Sequence, residues 1–118
     1  MAPSNYRKLL VWQKSRELAK LVYRTTKSFP KSETFGLSSQ MQRAAISILS
    51  NLAEGDGRPS TRDRQRFQTI ARGSAMELEA QIVIAADLDY ISRDLAKELE
   101  FRSIEITRML SGMLRQTN

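Results

Sequence analysis

The chain has 118 residues, with 19 Lys/Arg, 13 Asp/Glu, no cysteine, no histidine and a formal net charge of +6. That length suits one domain whose core holds without metal or disulfide staples. The missing residue types exclude a disulfide framework, thiolate and imidazole metal sites, and Ser–His or Cys–His nucleophilic machinery.

Three prolines and five glycines leave long stretches unbroken, and strand-like alternation is sustained nowhere, so the chain reads as all-α. The first helix is predicted from about Leu9 to Ser28. Val11, Ser15, Leu18, Val22, Thr25 and Phe29 step by three or four along one stripe, widened by Trp12, Ala19, Tyr23 and Thr26. Lys27 suits the negative pole of the helix dipole, and Pro30 stops the helix.

Gly36 offers a positive φ in the connector, and Ser38 is the expected N-cap of the second helix, with Ser39 and Gln42 a competing capping box. Met41, Ala45, Ile48 and Leu52 make one apolar stripe there, and Ile46, Leu49 and Ala53 a second. Two apolar faces imply cover on more than one side. Gly55 is expected at the left-handed C′ position, opening the turn Gly55-Asp56-Gly57-Arg58-Pro59.

Ser60 caps the third helix, with Asp63 as its capping-box partner. Its predicted span is about Thr61 to Tyr90, with Phe67, Ile70, Ala71, Ser74, Leu78, Ile82, Ala85 and Leu88 as the core stripe. Gly73 in its interior suggests close helix packing. Ser92 caps the fourth helix, where Leu95, Leu99, Ile106, Met109 and Met113 form the stripe, Arg102 interrupts it, and Phe101, Ile104, Leu110 and Leu114 lie partly off it. Short connectors predict an antiparallel up-down-up-down four-helix bundle, one domain over residues 1–118 with flexible tails at about 1–7 and 116–118.

Within the second helix Gln40, Arg43, Ser47, Asn51 and Glu54 share one face. Such a stripe is either a functional groove or a buried network that sets helix register, with Glu77 and Glu79 as candidate partners of Arg43. The network of Gln40, Arg43, Ser47, Asn51, Glu54 and Glu77 is the reading adopted.

The chain also resembles the small bacterial four-helix bundle proteins first noticed as reading frames within intervening sequences of 23S ribosomal RNA genes. The resemblance rests on Trp12-Gln13-Lys14, Leu18-Ala19, Tyr23, Phe29-Pro30 and Gly36-Leu37. It continues through Gln40, Arg43-Ala44-Ala45, Ser47-Ile48, Asn51-Leu52-Ala53-Glu54-Gly55 and Arg58. Phe67, Ala71, Gly73-Ser74, Glu77-Leu78-Glu79 and Asp89-Tyr90-Ile91 complete it, over roughly residues 6–115. Asp89 stands where glycine is expected. The resemblance implies a ring-like homopentamer without known enzymatic activity, and a relation to the accessory protein of diversity-generating retroelements, which works with a reverse transcriptase and nucleic acid.

Residues 1–72 hold fourteen Lys/Arg against five Asp/Glu, and residues 73–118 hold five against eight. The basic first half suggests an anionic partner, RNA, a ribonucleoprotein or DNA, bound by a non-catalytic homo-oligomeric module. Arg58, Arg62, Arg64, Arg66 and Arg72 are the candidate phosphate contacts, with Lys14, Lys20, Arg24 and Lys27 a second surface. Solvated surface or pairing between subunits is the alternative, favoured at Arg64 and Arg66. A protein-interaction scaffold is the competing function, motivated by the surplus apolar positions. Catalysis is not expected. Glu77 with Glu79, and Asp87 with Asp89, lie two apart and point to different faces, and no cofactor or metal is expected. Met1–Tyr6 lacks a long apolar run and no segment approaches about 18 uninterrupted apolar residues, so neither a secretion signal nor a membrane span is expected and the setting expected is the cytoplasm.

Overall fold

The computed structural model describes residues 5–116. Its long elements are α1 (Leu10–Thr26), α2 (Leu37–Asp56), α3 (Thr61–Asp87) and α4 (Arg93–Gln116), with 3-10 turns at Tyr6–Lys8 and Lys31–Glu33. The flexible-tail expectation for residues 1–4 and 117–118 lies outside the described residues. Tyr6, also expected in the tail, stacks edge-on against Trp12 with ring centroids 5.0 Å apart.

Helix starts at α3 and α4 follow local chemistry. The Ser60 hydroxyl accepts the Asp63 N–H at 3.1 Å, and the Ser92 hydroxyl accepts the Leu95 N–H at 3.2 Å. The start of α2 differs from expectation. Ser38 is buried inside the helix rather than capping it, and the carboxylate of Glu33 accepts the Leu37 N–H at 3.1 Å instead. Gln42 makes no box with Ser39 and donates to the Thr26 hydroxyl at 3.0 Å.

Gly36 and Gly55 also depart from expectation, because no glycine has a positive φ. α2 runs through Gly55 to Asp56, and Gly55 is buried. A β-carbon there would sit 2.8 Å from Phe67 Cβ and 3.4 Å from the Arg64 carbonyl oxygen, so its lack of side chain lets α2 and α3 meet. α3 ends at Asp87, not Tyr90, because Asp89 adopts φ 60°. The Asp89 N–H then reaches the Ala86 carbonyl at 3.0 Å and the Tyr90 N–H the Ala85 carbonyl at 2.9 Å, a left-handed helix cap.

Cross-helix contacts set the topology. Gln42 early in α2 meets Thr26 at the end of α1. Arg72 near the middle of α3 donates to Ser111 in the later part of α4 at 2.7 Å, and Lys14 in α1 pairs with Glu105 at the middle of α4 at 3.2 Å. Phe29 after α1 packs on Tyr90 after α3 with centroids 5.2 Å apart. Ser47 meets Ser74 whereas Gly55 meets Phe67, so α2 and α3 run in opposite directions, and the four packed helices form the bundle expected from the short connectors.

The core holds Val11, Leu18, Val22, Met41, Ile48, Leu52, Leu78, Ile82, Leu99, Ile106 and Leu110, among others. Burying each such side chain contributes about 1.5–3 kcal/mol. Several stripe positions shift from expectation. Leu110 is fully buried, whereas Met109 and Met113 are only partly so. Tyr23, Ile46, Ile70 and Leu88 face solvent. Arg102 does not interrupt the core of α4; it turns outward and pairs with Glu98 at 3.0 Å. No helix of the described residues is long and apolar enough to cross a membrane.

Candidate functional site

Two polar regions emerge, both on the α2–α3 side of the bundle. The first is the turn joining these helices. Helix α2 delivers Arg58 just past its end, and Ser60 starts α3 so that Arg62, Arg64 and Arg66 follow within its first turns. Arg64 is committed to structure. Its guanidinium donates to the Arg58 carbonyl at 2.9 Å, the Pro59 carbonyl at 3.0 Å and the Thr61 hydroxyl at 3.0 Å. These bonds hold the turn in one conformation.

Arg58 and Arg66 converge on one aromatic ring. Their guanidinium carbons lie 5.0 and 4.4 Å from the centroid of Phe67. Ring contact of this kind restricts the arginines while leaving their N–H edges in water. Each also has a carboxylate 3.5 Å away, Glu54 for Arg58 and Asp63 for Arg66. Exposed pairs of this length hold weakly, so a phosphate can displace them. Arg62 is exposed and has no ion pair or hydrogen bond among the described residues. Arg72 does not join this cluster, because its bond to Ser111 turns it toward α4.

The α1 cations are dispersed by comparison. Lys14 pairs with Glu105 at 3.2 Å and Lys20 with Glu17 at 3.6 Å, whereas Arg24 and Lys27 stand exposed. Lys14 is thereby part of the α1–α4 contact.

The second region is a recess of about 340 Å³ lined by Gln40, Arg43, Ala44, Ser47, Ser74 and Glu77. Its floor is hydrogen-bonded. The Ser47 and Ser74 hydroxyls lie 2.7 Å apart, and the Asn51 amide donates to the Ser47 carbonyl at 2.8 Å and hydroxyl at 3.1 Å. The buried network expected from the sequence therefore contracts to Ser47, Asn51 and Ser74, because Gln40, Arg43, Glu54 and Glu77 all face solvent. Glu54 belongs to the arginine turn instead. Arg43 pairs with neither Glu77 nor Glu79, and Glu77 accepts from the Gln81 amide at 3.2 Å.

Helical periodicity assigns Ser74 to the core stripe and the Arg43 side of α2 to a closed network. Only the relative rotation of α2 and α3 reveals that they line an open recess. The other coupling missed is Glu33 with Tyr90, whose hydroxyl donates to the carboxylate at 2.9 Å. The Leu37 N–H, then this hydroxyl, hold the Glu33 carboxyl below the ordinary carboxylate range, and the bond to Glu33 holds the phenol of Tyr90 above its own. Among the described residues no three acidic side chains gather as a metal site.

A crystal structure from Bacteroides thetaiotaomicron VPI-5482, of a protein with unknown function from the S23 ribosomal protein family, has this fold. It matches with a TM-score of 0.82 at 25% identity, over 91% of this chain and 100% of that one. None of the curated proteins compared matches the chain. The profile of the 23S rRNA-intervening sequence proteins matches residues 7–112. The chain belongs to the 23S rRNA-intervening sequence protein family.

Proposed function

We propose that the protein is a non-catalytic, homo-oligomeric module that binds structured RNA, or DNA of similar charge density, through the α2–α3 turn. The carrying observation is the pair of arginines on Phe67 beside unpaired Arg62, on a turn braced by Arg64. Bracing and stacking lower the ordering cost when phosphates are bound, and arginine forks match phosphate geometry. In a ring of copies, a pentamer by family resemblance, the same turn recurs in every subunit, so modest contacts add by avidity.

The test is retention of a structured RNA by purified protein at low salt, followed by electrophoretic shift or anisotropy. The triple substitution R58A/R62A/R66A is expected to weaken binding more than tenfold, and K20A/R24A/K27A to leave it nearly unchanged. The absence of retention by the unsubstituted protein at low salt would refute the proposal.

A second reading has its own observation. Phe35 is 96% exposed and Phe101 67% exposed, large apolar groups that suit a protein partner. On this reading the protein is a scaffold or accessory subunit, for example of a reverse transcriptase. Co-purification of a protein without nucleic acid would favour it.

A further inference from the structure

Four arginines lie over aromatic rings among the described residues, and only two of them belong to the α2–α3 turn. The other two flank the start of α1. The guanidinium carbon of Arg7 lies 5.9 Å from the Tyr6 centroid, and that of Arg16 lies 5.8 Å from the Trp12 centroid. Tyr6 and Trp12 hold each other edge-on, so the four side chains form one cluster. Arg7, Arg16 and the adjacent Lys8 are exposed, and none has a carboxylate partner among the described residues.

Helix lengths place this cluster beside the arginine turn. Thr26 at the end of α1 bonds Gln42 near the start of α2. The 3-10 turn Tyr6–Lys8, which precedes α1, also packs on α2. α1 has 17 residues and is therefore about 25 Å long. Only about 8 Å of α2 precedes Gln42, too little to reach back along α1. The 3-10 turn therefore rests on the far end of α2, the end that Arg58 follows. Neighbouring helices pack about 8–10 Å apart, so one strand of nucleic acid can cross from one cluster to the other.

The chemistry of the second cluster selects its ligand. A guanidinium that lies on a ring keeps its outer planar face, on which a base can stack. Bases within a duplex have both faces covered by their neighbours, whereas unpaired bases do not. Unpaired cations interleaved with aromatic rings are the arrangement that holds single strands, phosphates on the cations and bases on the planar groups. A wholly paired RNA would leave these rings unused.

We propose that the cluster of Tyr6, Arg7, Trp12 and Arg16 binds unpaired nucleotides that adjoin the structured RNA held at the α2–α3 turn. The ligand class is then an RNA with a junction between paired and unpaired strand. The proposal rests on the nucleic-acid reading above and narrows it.

Trp12 is the single tryptophan of the chain, so its fluorescence reports on this cluster alone. The probes are two RNA hairpins of one sequence, one blunt and one carrying a short unpaired uridine tail. The tail is expected to tighten binding to the unsubstituted protein about tenfold, read by anisotropy, and to quench Trp12. The blunt hairpin should bind without quenching. R7A/R16A should remove both the tail's advantage and the quenching, while blunt-hairpin affinity and thermal melting stay nearly unchanged. R7K/R16K, which keeps the charge but not the planar group, should recover only a minor part of the advantage. R58A/R62A/R66A should weaken both hairpins. Equal affinity for the two hairpins would overturn the proposal and leave the arginine turn standing. So would a tail advantage that survives R7A/R16A or comes without quenching. Binding of neither hairpin would overturn the nucleic-acid reading and this proposal together.

Discussion

Two glycines exchange the roles that their neighbourhoods suggest. Gly55, at the end of an apolar pattern and before a polar turn, reads as a helix stop, yet it is the contact point of α2 with α3. Gly73, deep in a helical pattern, reads as a packing glycine, yet no neighbouring helix comes within 4 Å of where a β-carbon on it would lie. The difference is testable. Gly55→Ala gains about 1 kcal/mol of helix propensity but forces Phe67 Cβ, which is anchored to the backbone of α3, to yield, an overpacking cost of about 1–3 kcal/mol. Urea unfolding of the dilute protein should show Gly55→Ala less stable and Gly73→Ala more stable, the latter by about 1 kcal/mol. Asp89 at φ 60° gives a third case. Glycine, which the family pattern leads one to expect there, adopts this conformation without strain. Asp89→Gly should raise stability by up to about 1 kcal/mol, and an unchanged or lower unfolding midpoint would contradict that account.

At the scale of elements, caps made by neighbours in sequence were legible and caps made across the fold were not. Ser60 and Ser92 lie three residues before the N–H groups that they accept. The start of α2 depends on Glu33, which is held by Tyr90 from the end of α3, 57 residues away. No local pattern encodes that bond. It ties the α1–α2 connector to the α3–α4 connector and so fixes one end of the bundle. Its pH dependence follows from linkage. The carboxyl of Glu33 is lowered from its ordinary value of 4.5, so its contribution is present above that pH and is lost as pH falls through the folded value. The phenol of Tyr90 is raised from 10.0, so its contribution is full below that pH and fades as pH rises through the folded value. Glu33→Gln keeps an acceptor but cannot titrate. Thermal melts should show the gap between the unsubstituted protein and Glu33→Gln narrowing as pH drops below 4.5, and a constant gap would show that ionisation of Glu33 contributes nothing to the clasp.

At the scale of the whole molecule, the basic half of the sequence does not become one basic surface. Arg72 is drawn to α4, Lys14 and Lys20 are paired, Arg64 braces its turn, and Arg58, Arg62 and Arg66 remain together at one end of the bundle. Nucleic-acid binding through three arginines per copy should fall linearly with salt on logarithmic axes, with a slope near about −3 for each engaged subunit on duplex targets. The triple arginine substitution should flatten that slope, and titrations at several salt concentrations measure it. An unchanged slope would move the contact to another surface.

The sequence alone determined the four helices, two serine caps, the Met41-Ala45-Ile48-Leu52 stripe and the family, because these rest on periodicity and on bonds between near neighbours. It also marked the polar residues of α2 as a set. Only the tertiary structure decided that these residues line an open recess, that Arg64 is structural, and that Ile70 and Leu88 face solvent. Those outcomes depend on how α2 and α3 are rotated against each other, and many side chains acting together fix that rotation. A helical stripe specifies which residues share a face, but only the packing of the other three helices specifies which face is covered.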